Sequence, residues 1–376
     1  MYDAIIVGAR CGGSPTAMNL ARRQHRVLVV DRATFPRDTL STHALTGDAA
    51  DRLKAWGLLD RVVAADGRGV TDHAAYHCAG REFRIPGLFL APRRTVLDKI
   101  LVDAARASGA EVREGCSVIG LLRDPSGRVT GVTLQRDGSL STEEARVVVG
   151  ADGRNSFVAR EVGAEVYNEK PPMACAYYSY FENFPISTVE VHYAPGTACI
   201  CLPTSNGQAC LAVMRHRDQF QVFRADIDGG FQRAFEQVGL ADRYASARRA
   251  EEWRGAADLP NYYRKPFGPG WTLVGDAGFL KDPVLGQGVN DAFRDADLLS
   301  SALDSVFRGE QDFDTALSNY QQERDRVSGS TYALTHELSK LQVTPEHLES
   351  LQAAAEARIK RVQAAAASAR KEPAEA

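Results

Sequence analysis

Residues 5–18 read IIVGARCGGSPTAM. Apolar residues run into a glycine-rich turn, and the turn runs into a helix with Ser14 placed to cap it and Pro15 suited to its first turn. A dinucleotide-binding turn of the form G-x-G-x-x-G sets glycines at 8, 10 and 13. This chain has Gly8, Arg10 and Gly13, with Gly12 added. Gly8 permits the tight turn, the middle position lets backbone approach a pyrophosphate, and Gly13 lets the helix pack on the strand. The helix start then offers N–H groups and a positive dipole end to phosphates. Arg10 sets a long side chain in the middle position, where it can bend outward and ion-pair with the same anion. Taken alone, the stretch also fits a glycine-rich bend with no nucleotide.

Working outward, Val27–Val30 reads as a second buried strand ending in Asp31, which completes a βαβ beginning and places an acid where a ribose diol would donate hydrogen bonds. An amphipathic helix over 47–56 closes at Gly57. Residues 70–86 alternate about a turn at Ala79–Gly80, as a hairpin does. A helix over 94–108 stops at Gly109, and RVVVG at 146–150 is again a buried strand. From about 166 to 257 the pattern becomes antiparallel strands (YYSYFENF, TVEVHY, ACICLP, QACLAVMR) with helical segments near 217–225 and 229–250. At WTLVG, 271–275, a buried strand resumes before a long helix. The first domain is therefore interrupted and re-entered. The last 25 or so residues, alanine-rich and charged, predict a solvated helix fraying into a tail.

Two further stretches ask for the same kind of ligand. In VVVGADGRNSFVAR, 147–160, a strand ends in Gly-Ala-Asp152-Gly and enters a helix that Asn155 or Ser156 can cap; an ordinary strand-to-helix turn fits equally well. In GWTLVGDAGFLKDPVLGQGVNDAFRDADLL, 270–299, a strand delivers Gly275 and Asp276, a loop carries Pro283, and Gly286-Gln287-Gly288 opens a helix near Val289 and Asn290. Such a start aims N–H groups at something anionic, and Asp276 can bond a polyol hydroxyl.

Composition narrows the class. The chain has 376 residues, 44% hydrophobic and 25% charged, with a formal charge of −3, which is ordinary for a globular protein and gives no sign of a nucleic-acid partner. Seven cysteines are scattered without a C-x-x-C pair, so neither a disulfide framework nor a zinc site is indicated, and a reducing cytoplasm fits best. No apolar run of membrane-spanning length and no leader before the first strand are expected. His73, His77 and Cys78 have helical metal spacing but lie in an alternating strand, so no metal site is predicted.

The three glycine-containing stretches, in this order, resemble the FAD-binding fold of the para-hydroxybenzoate hydroxylase superfamily, which includes group A flavin monooxygenases, geranylgeranyl reductases and flavin-dependent halogenases. The resemblance covers residues 1 to about 300. It implies an α/β fold: a discontinuous Rossmann-like FAD domain (1–70, 92–165 and 258–300), an antiparallel-sheet substrate domain (71–91 and 166–257), and a C-terminal helical segment (301–376). It implies cofactor contacts at Gly8, Ala9, Arg10, Gly12, Gly13, Asp31 and Arg32 for the ADP half. Arg94 matches a family arginine near the flavin phosphates, Val118 a backbone contact to adenine, and Asp152 a motif near the pyrophosphate. Gly275 and Asp276 match the motif that reaches the ribityl chain, and Pro283, Gly286, Gln287, Gly288, Val289 and Asn290 the segment beside the isoalloxazine. In FPRDTLSTHAL, 35–45, Ser41, Thr42 and His43 match a loop that passes the flavin; His43 is the one histidine nominated for proton transfer, although a local turn role fits as well.

Chemistry follows from the resemblance. FAD is the cofactor and NAD(P)H the electron donor; O2 forms a flavin C4a-hydroperoxide that hydroxylates a small aromatic or polyketide-like substrate. The aromatic strand Tyr177, Tyr178, Tyr180, Phe181 and the strand Ala198–Pro203 are expected as a lid. Two departures stand out. Phe279 replaces a histidine that many hydroxylases carry after the Gly-Asp motif, making the flavin's surroundings less polar. The halogenase motif W-x-W-x-I-P is absent, which speaks against halogenation. The alternatives are a reductase acting on a C=C bond and a flavin-binding protein without turnover.

Overall fold

The computed structural model describes residues 1–41, 43–66, 70–257 and 259–369. The chain runs through Tyr2–Val7 (β1), Gly13–Arg22 (α1), Val27–Asp31 (β2), Gly47–Ala55 (α2), Leu59–Asp66 (α3), Thr71–Cys78 (β3), Arg81–Phe89 (β4) and Arg94–Ala107 (α4). It continues through Glu111–Glu114 (β5), Ser117–Arg123 (β6), Val129–Arg136 (β7), Ser139–Gly150 (β8), Phe157–Glu161 (α5), Val166–Lys170 (β9) and Ala174–Glu182 (β10). Next come Val189–Ala194 (β11), Thr197–Pro203 (β12), Ala209–His216 (β13), Phe220–Ala225 (α6), Ile227–Gln237 (α7), Ala241–Ala245 (α8), Arg248–Arg249 (β14) and Arg254–Ala256 (β15). The last third holds Asn261–Arg264 (β16), Phe267–Gly268 (β17), Trp271–Leu273 (β18), Phe279–Leu280 (β19), Gly288–Phe307 (α9), Phe313–Leu338 (α10) and Pro345–Ala369 (α11).

Two compact units divide these elements. Met1–Asp66, Pro92–Pro172 and Leu259–His336 form the first. Its main sheet has the order β17-β18-β8-β1-β2-β5, with β18, β8, β1, β2 and β5 parallel. The strands at its centre are apolar on both faces, as a sheet covered on both sides requires: Ile5, Ile6, Leu28, Val29 and Val148 are all fully buried. Strand β8 serves twice. Its polar first half pairs antiparallel with β7, and its apolar end, from Ala145, enters the parallel sheet between β1 and β18.

The second unit takes residues 70–91, 173–257 and 337–369. Its sheet has the order β14-β10-β13-β12-β11-β3-β4, antiparallel throughout this path except where β3 runs parallel to β11. Period-two alternation splits the aromatic run of β10 between two faces. Tyr177 and Phe181 pack with Phe223, Phe231 and Phe235 of α6 and α7, while Tyr178 and Tyr180 join Phe89, Val189 and Leu202 on the other side.

Three expectations need correcting. Residues 166–170 do not join the antiparallel domain but pair with β16, giving a three-stranded sheet β19-β16-β9 in the first unit. Residues 301–336 are not a separate segment: Tyr320 on α10 donates to the Leu273 carbonyl (3.1 Å), and Arg324 is fully buried. The helix expected over 229–250 ends at Gln237, because Gly239 turns the chain at φ +75° and Arg248–Arg249 pairs with β10 instead.

Arg324 holds the small sheet to α10. Its guanidinium donates to the Tyr167 hydroxyl (2.7 Å), the Arg264 carbonyl (3.1 Å) and the Gly278 carbonyl (3.3 Å), and it pairs with Asp325 (2.8 Å). Removing one partner of a buried ionic network leaves the others desolvated without compensation. Arg324→Met is therefore expected to lower unfolding stability by about 3 kcal/mol, read as a reduced midpoint in urea denaturation.

Candidate functional site

The turn after β1 is built on backbone proximity. Gly8 sits at φ +105°, and a Cβ there would lie 2.4 Å from the Ala151 carbonyl oxygen; one on Gly13 would lie 1.8 Å from the Gly8 carbonyl oxygen. Helix α1 starts at Gly13 with Gly12 as N-cap and no side-chain cap. Ser14, expected to cap it, donates backwards to the Ala9 carbonyl (2.8 Å) instead. The helix start thus keeps its dipole end for an anion. Asp31 accepts from the Ala9 N–H at one carboxylate oxygen and from the Ala33 N–H at the other (both 2.7 Å), fixing the turn against the end of β2. Arg32 beside it is exposed.

Arg10 does not reach out alone. Its Nη1 lies 2.5 Å from Asp98 on α4, and its guanidinium lies over the Phe35 ring at 5.3 Å. Arg94, which opens α4, donates to both oxygens of the same Asp98 (3.0 and 3.1 Å), and the Cys11 thiol points at it as well (3.5 Å). Asp98 is fully buried. Burial works against the charge on Arg94, but Asp98 outweighs it and holds the guanidinium's pKa above its ordinary value. Burial pushes the Cys11 thiol up to about 12, so it stays neutral. Within this trio two guanidiniums share one carboxylate, leaving it one positive charge in surplus, which Asp276 opposes from beside Arg94.

The other two stretches meet this turn. Strands β1, β8 and β18 are neighbours, so the loops at their carboxyl ends adjoin: Gly8 faces Ala151 and Asp152, and a Cβ on Gly12 would lie 3.4 Å from Val274. Asp152 turns onto the start of α5, accepting from the Ser156 hydroxyl (2.5 Å) and the Phe157 N–H (2.6 Å), while Ser156 itself caps the helix. Val118 lies on β6, packed against the core of the first unit. After Gly275, the Asp276 carboxylate makes no hydrogen bond among the described residues. Burial pushes it up to about 6, against the opposing pull of Arg94.

The loop from Asp282 leads into α9, which starts at Gly288, one residue before the expected Val289; Gly286 takes a left-handed turn at φ +64°, and Gln287 is the N-cap. One oxygen of Asp282 accepts from the Val284 N–H (3.0 Å); the other has no partner among the described residues, and burial pushes the carboxyl up to about 7. Pro283 follows it, and Val289 is buried. Asn290 accepts from the Thr46 N–H and hydroxyl (3.1 and 2.9 Å), while its Nδ2 is buried without a partner among the described residues. Asp291 is held by Lys281 and Arg294 (both 2.7 Å), which ties the first turn of α9 to β19.

His43 is fully buried in a left-handed conformation (φ +60°), its N–H donating to the Ser41 hydroxyl (3.1 Å). Thr42 lies outside the described residues. Phe279 faces elsewhere than expected: it stacks on Tyr263 at 4.5 Å and packs with Tyr332 inside the small sheet's own cluster. Asp98 and Asp282 were missed by sequence reasoning. For Asp98 the available signal was the i,i+4 spacing from Arg94 on a helix that begins beside the turn.

Glycine-containing turns gathered at the carboxyl ends of adjacent parallel strands define a dinucleotide-binding α/β protein. Residues 1–334 match the sequence signature of the FAD binding domain, and the chain belongs to that family. It is an FAD-dependent oxidoreductase. Among relatives, it is 26% identical to the 1H-pyrrole-2-carbonyl-[peptidyl-carrier protein] brominase of Pseudoalteromonas luteoviolacea, covering 81% of this chain and 78% of the brominase. It is also 26% identical to the digeranylgeranylglycerophospholipid reductase of Methanocella arvoryzae, covering 90% and 87%. In fold it is similar to Pseudomonas aeruginosa PqsL in complex with 2-aminobenzoylacetate (TM-score 0.81, 23% identity, covering 93% of this chain and 99% of PqsL). It is likewise similar to the myxobacterial chondrochloren halogenase CndH (TM-score 0.82, 24% identity, 88% and 81%). No helix among the described residues is long and apolar enough to cross a membrane.

The residues present fit such a cofactor: glycines where a side chain would block the turn, a surplus positive charge beside an uncapped helix start, and an unpartnered buried amide at Asn290. Two outcomes are expected. Asp98→Ala leaves two guanidiniums without their counter-charge and lowers stability by about 3 kcal/mol, checked by chemical denaturation of the apoprotein. Folded Asp282 keeps a proton that the unfolded chain gives up near pH 4. Its stabilisation is complete below that pH and lost as pH rises through about 7. Between about pH 5 and 8 the wild-type melting temperature therefore falls further than that of Asp282→Asn, which carries no such proton.

Proposed function

We propose that this chain is a monooxygenase that uses FAD, NAD(P)H and O2 to hydroxylate or oxidise a small aromatic or polyketide-like metabolite. The observation that carries the cofactor half of this reading is the convergence of the three turns with the charge surplus of Arg10, Arg94 and Asp98. FAD, when bound by these residues, would supply the redox chemistry between nicotinamide and O2, and the protein would supply binding, orientation and electrostatics.

Each residue has a part in the proposal. Gly8, Ala9, Gly12 and Gly13 let backbone N–H groups approach the pyrophosphate, with Arg10 and Arg94 adding their shared positive charge. Asp31 and Arg32 border the adenosine ribose, Val118 the adenine, and Asp152 orders the neighbouring loop through α5. Asp276, a free acceptor, takes a hydrogen bond from the ribityl chain. The segment Pro283, Gly286, Gln287, Gly288, Val289, Asn290 presents the start of α9 to the flavin. There the dipole stabilises negative charge on the reduced ring by about 0.3–1 kcal/mol, or ~2 where partly buried. His43 is proposed for proton transfer and Thr42 for a flavin contact.

For the substrate half, the support is the second unit's sheet. On one face Tyr178, Tyr180, Phe89 and Leu202 form a buried aromatic and aliphatic cluster, the kind of lining that pockets for flat apolar molecules use. The fold shared with PqsL over nearly its full length points the same way. A reductase acting on a C=C bond is the second reading, favoured by the match to the Methanocella reductase over 90% of this chain. Halogenase relatives exist, but β12 reads TACICLP, without the paired tryptophans of that group. A cytoplasmic setting is proposed from the free cysteines, all buried and unbridged.

Purified protein is expected to be yellow, to be reduced by NADH or NADPH, and to consume O2 in step with formation of an oxygenated product from an aromatic substrate. Equal turnover without O2 would favour the reductase, and colourless protein that takes up no FAD would overturn the reading. Arg10→Ala and Asp276→Ala each remove a charged partner and are expected to weaken FAD binding about tenfold or more, from ~1.5 kcal/mol or more per charge-assisted contact, measured by quenching of flavin fluorescence.

A further inference from the structure

The second unit holds a cluster of ionisable side chains that the flavin chemistry does not use. Strands β3 and β11 lie side by side and parallel, with His77 directly opposite His192. Alternation puts Glu190 on the same face as His192. The imidazoles of His77 and His192 stack, with ring centroids 4.1 Å apart and planes 3° from parallel. His192 Nε2 lies 3.0 Å from Glu190 Oε2, and His192 is 6% exposed. Arg243 of α8 donates to both oxygens of Glu190 (2.7 and 3.2 Å). The His77 imidazole makes no side-chain hydrogen bond among the described residues, while its backbone belongs to the ladders with β11 and β4.

The geometry points to a divalent transition-metal site formed by His77, Glu190 and His192. One ligand atom from each, a ring nitrogen from both histidines and a carboxylate oxygen, lies within 4.8 Å of the other two. Two imidazoles and one carboxylate are the donor set of zinc and its neighbours, whereas magnesium and calcium demand oxygen ligands. With metal–ligand bonds of about 2.0–2.2 Å, an ion must lie in the plane of each ring it binds, so the two imidazoles would turn out of their parallel stack to meet at it, and three protein ligands leave a coordination position for water or a small molecule. Arg243 is then the outer partner that aims the carboxylate. The helical-spacing test applied to His73, His77 and Cys78 failed for good reason: in a strand the partners of His77 come from the neighbouring strand, at Glu190-x-His192. The ion would pin the β3–β4 hairpin to β11 and, through Glu190 and Arg243, to α8.

The test uses full-length, FAD-loaded protein stripped of metal with a chelator and titrated with zinc chloride by isothermal calorimetry. Wild type is expected to take up one equivalent, and the same zinc is expected to raise its melting temperature. His77→Phe keeps a stacked ring but no nitrogen. Its affinity is expected to fall by at least about tenfold, since even outer partners of a metal are worth 10–100-fold, and its melting temperature no longer responds to zinc. Glu190→Gln is expected to weaken binding as well, and His73→Ala to leave it unchanged. A far-UV circular dichroism spectrum unchanged from wild type shows that each variant is folded. No zinc uptake by wild type, or undiminished uptake by folded His77→Phe, would overturn the proposal.

Discussion

A Cβ on Gly13 would lie 1.8 Å from the Gly8 carbonyl oxygen, and one on Gly8 would lie 2.4 Å from that of Ala151. The remaining features of the first unit are arranged around this closeness of backbone to backbone. Because β8 and β18 flank the turn as parallel neighbours, their loops must end at the same edge, and side chains delivered from residues 31, 94, 98, 152 and 276 are brought to one locality. A wider turn would hold the loops apart and leave the starts of α1 and α9 with nothing in common.

Charge is organised on the same principle. Asp98 costs much to bury, and it is repaid only because Arg10 and Arg94 both reach it. Neither guanidinium is consumed by the pairing, since one carboxylate cannot neutralise two. The arginine that breaks the glycine pattern therefore does two things: it fastens α4 to the turn, and it adds a second guanidinium where phosphates are expected to lie.

The strands of the parallel sheet were legible in the sequence because their runs are apolar on both faces, and the turns were legible because glycine and proline punctuate them. The positions of Gly8, Gly13, Gly275 and Asp276 followed from that pattern. Asp98 was only half legible: its i,i+4 spacing from Arg94 is local, but its bond to Arg10 joins residues 88 apart. Phe279 misled for a related reason: its neighbours are Tyr263 and Tyr332, which reach it only through β16 and α10. Ser14 looked like a helix cap, but the cap position is taken by Gly12, two residues earlier, and the hydroxyl is spent on Ala9. Glu190 and His192 are two residues of an unremarkable alternating strand until β3 is laid beside them.

The doubled use of β8 has a consequence for synthesis. Its apolar end is flanked by β1, which precedes it in the chain, and by β18, made some 120 residues after it. During translation the early strands emerge long before their final neighbour exists, and β10 to β15 of the antiparallel module are produced in the meantime. That module can assemble much of its own sheet as it leaves the ribosome, whereas the nucleotide edge must wait for residues beyond 270. Contacts of such long sequence separation fold slowly and leave apolar strand edges open for longer, so heterologous production at lowered temperature or with chaperones favours this half of the molecule most.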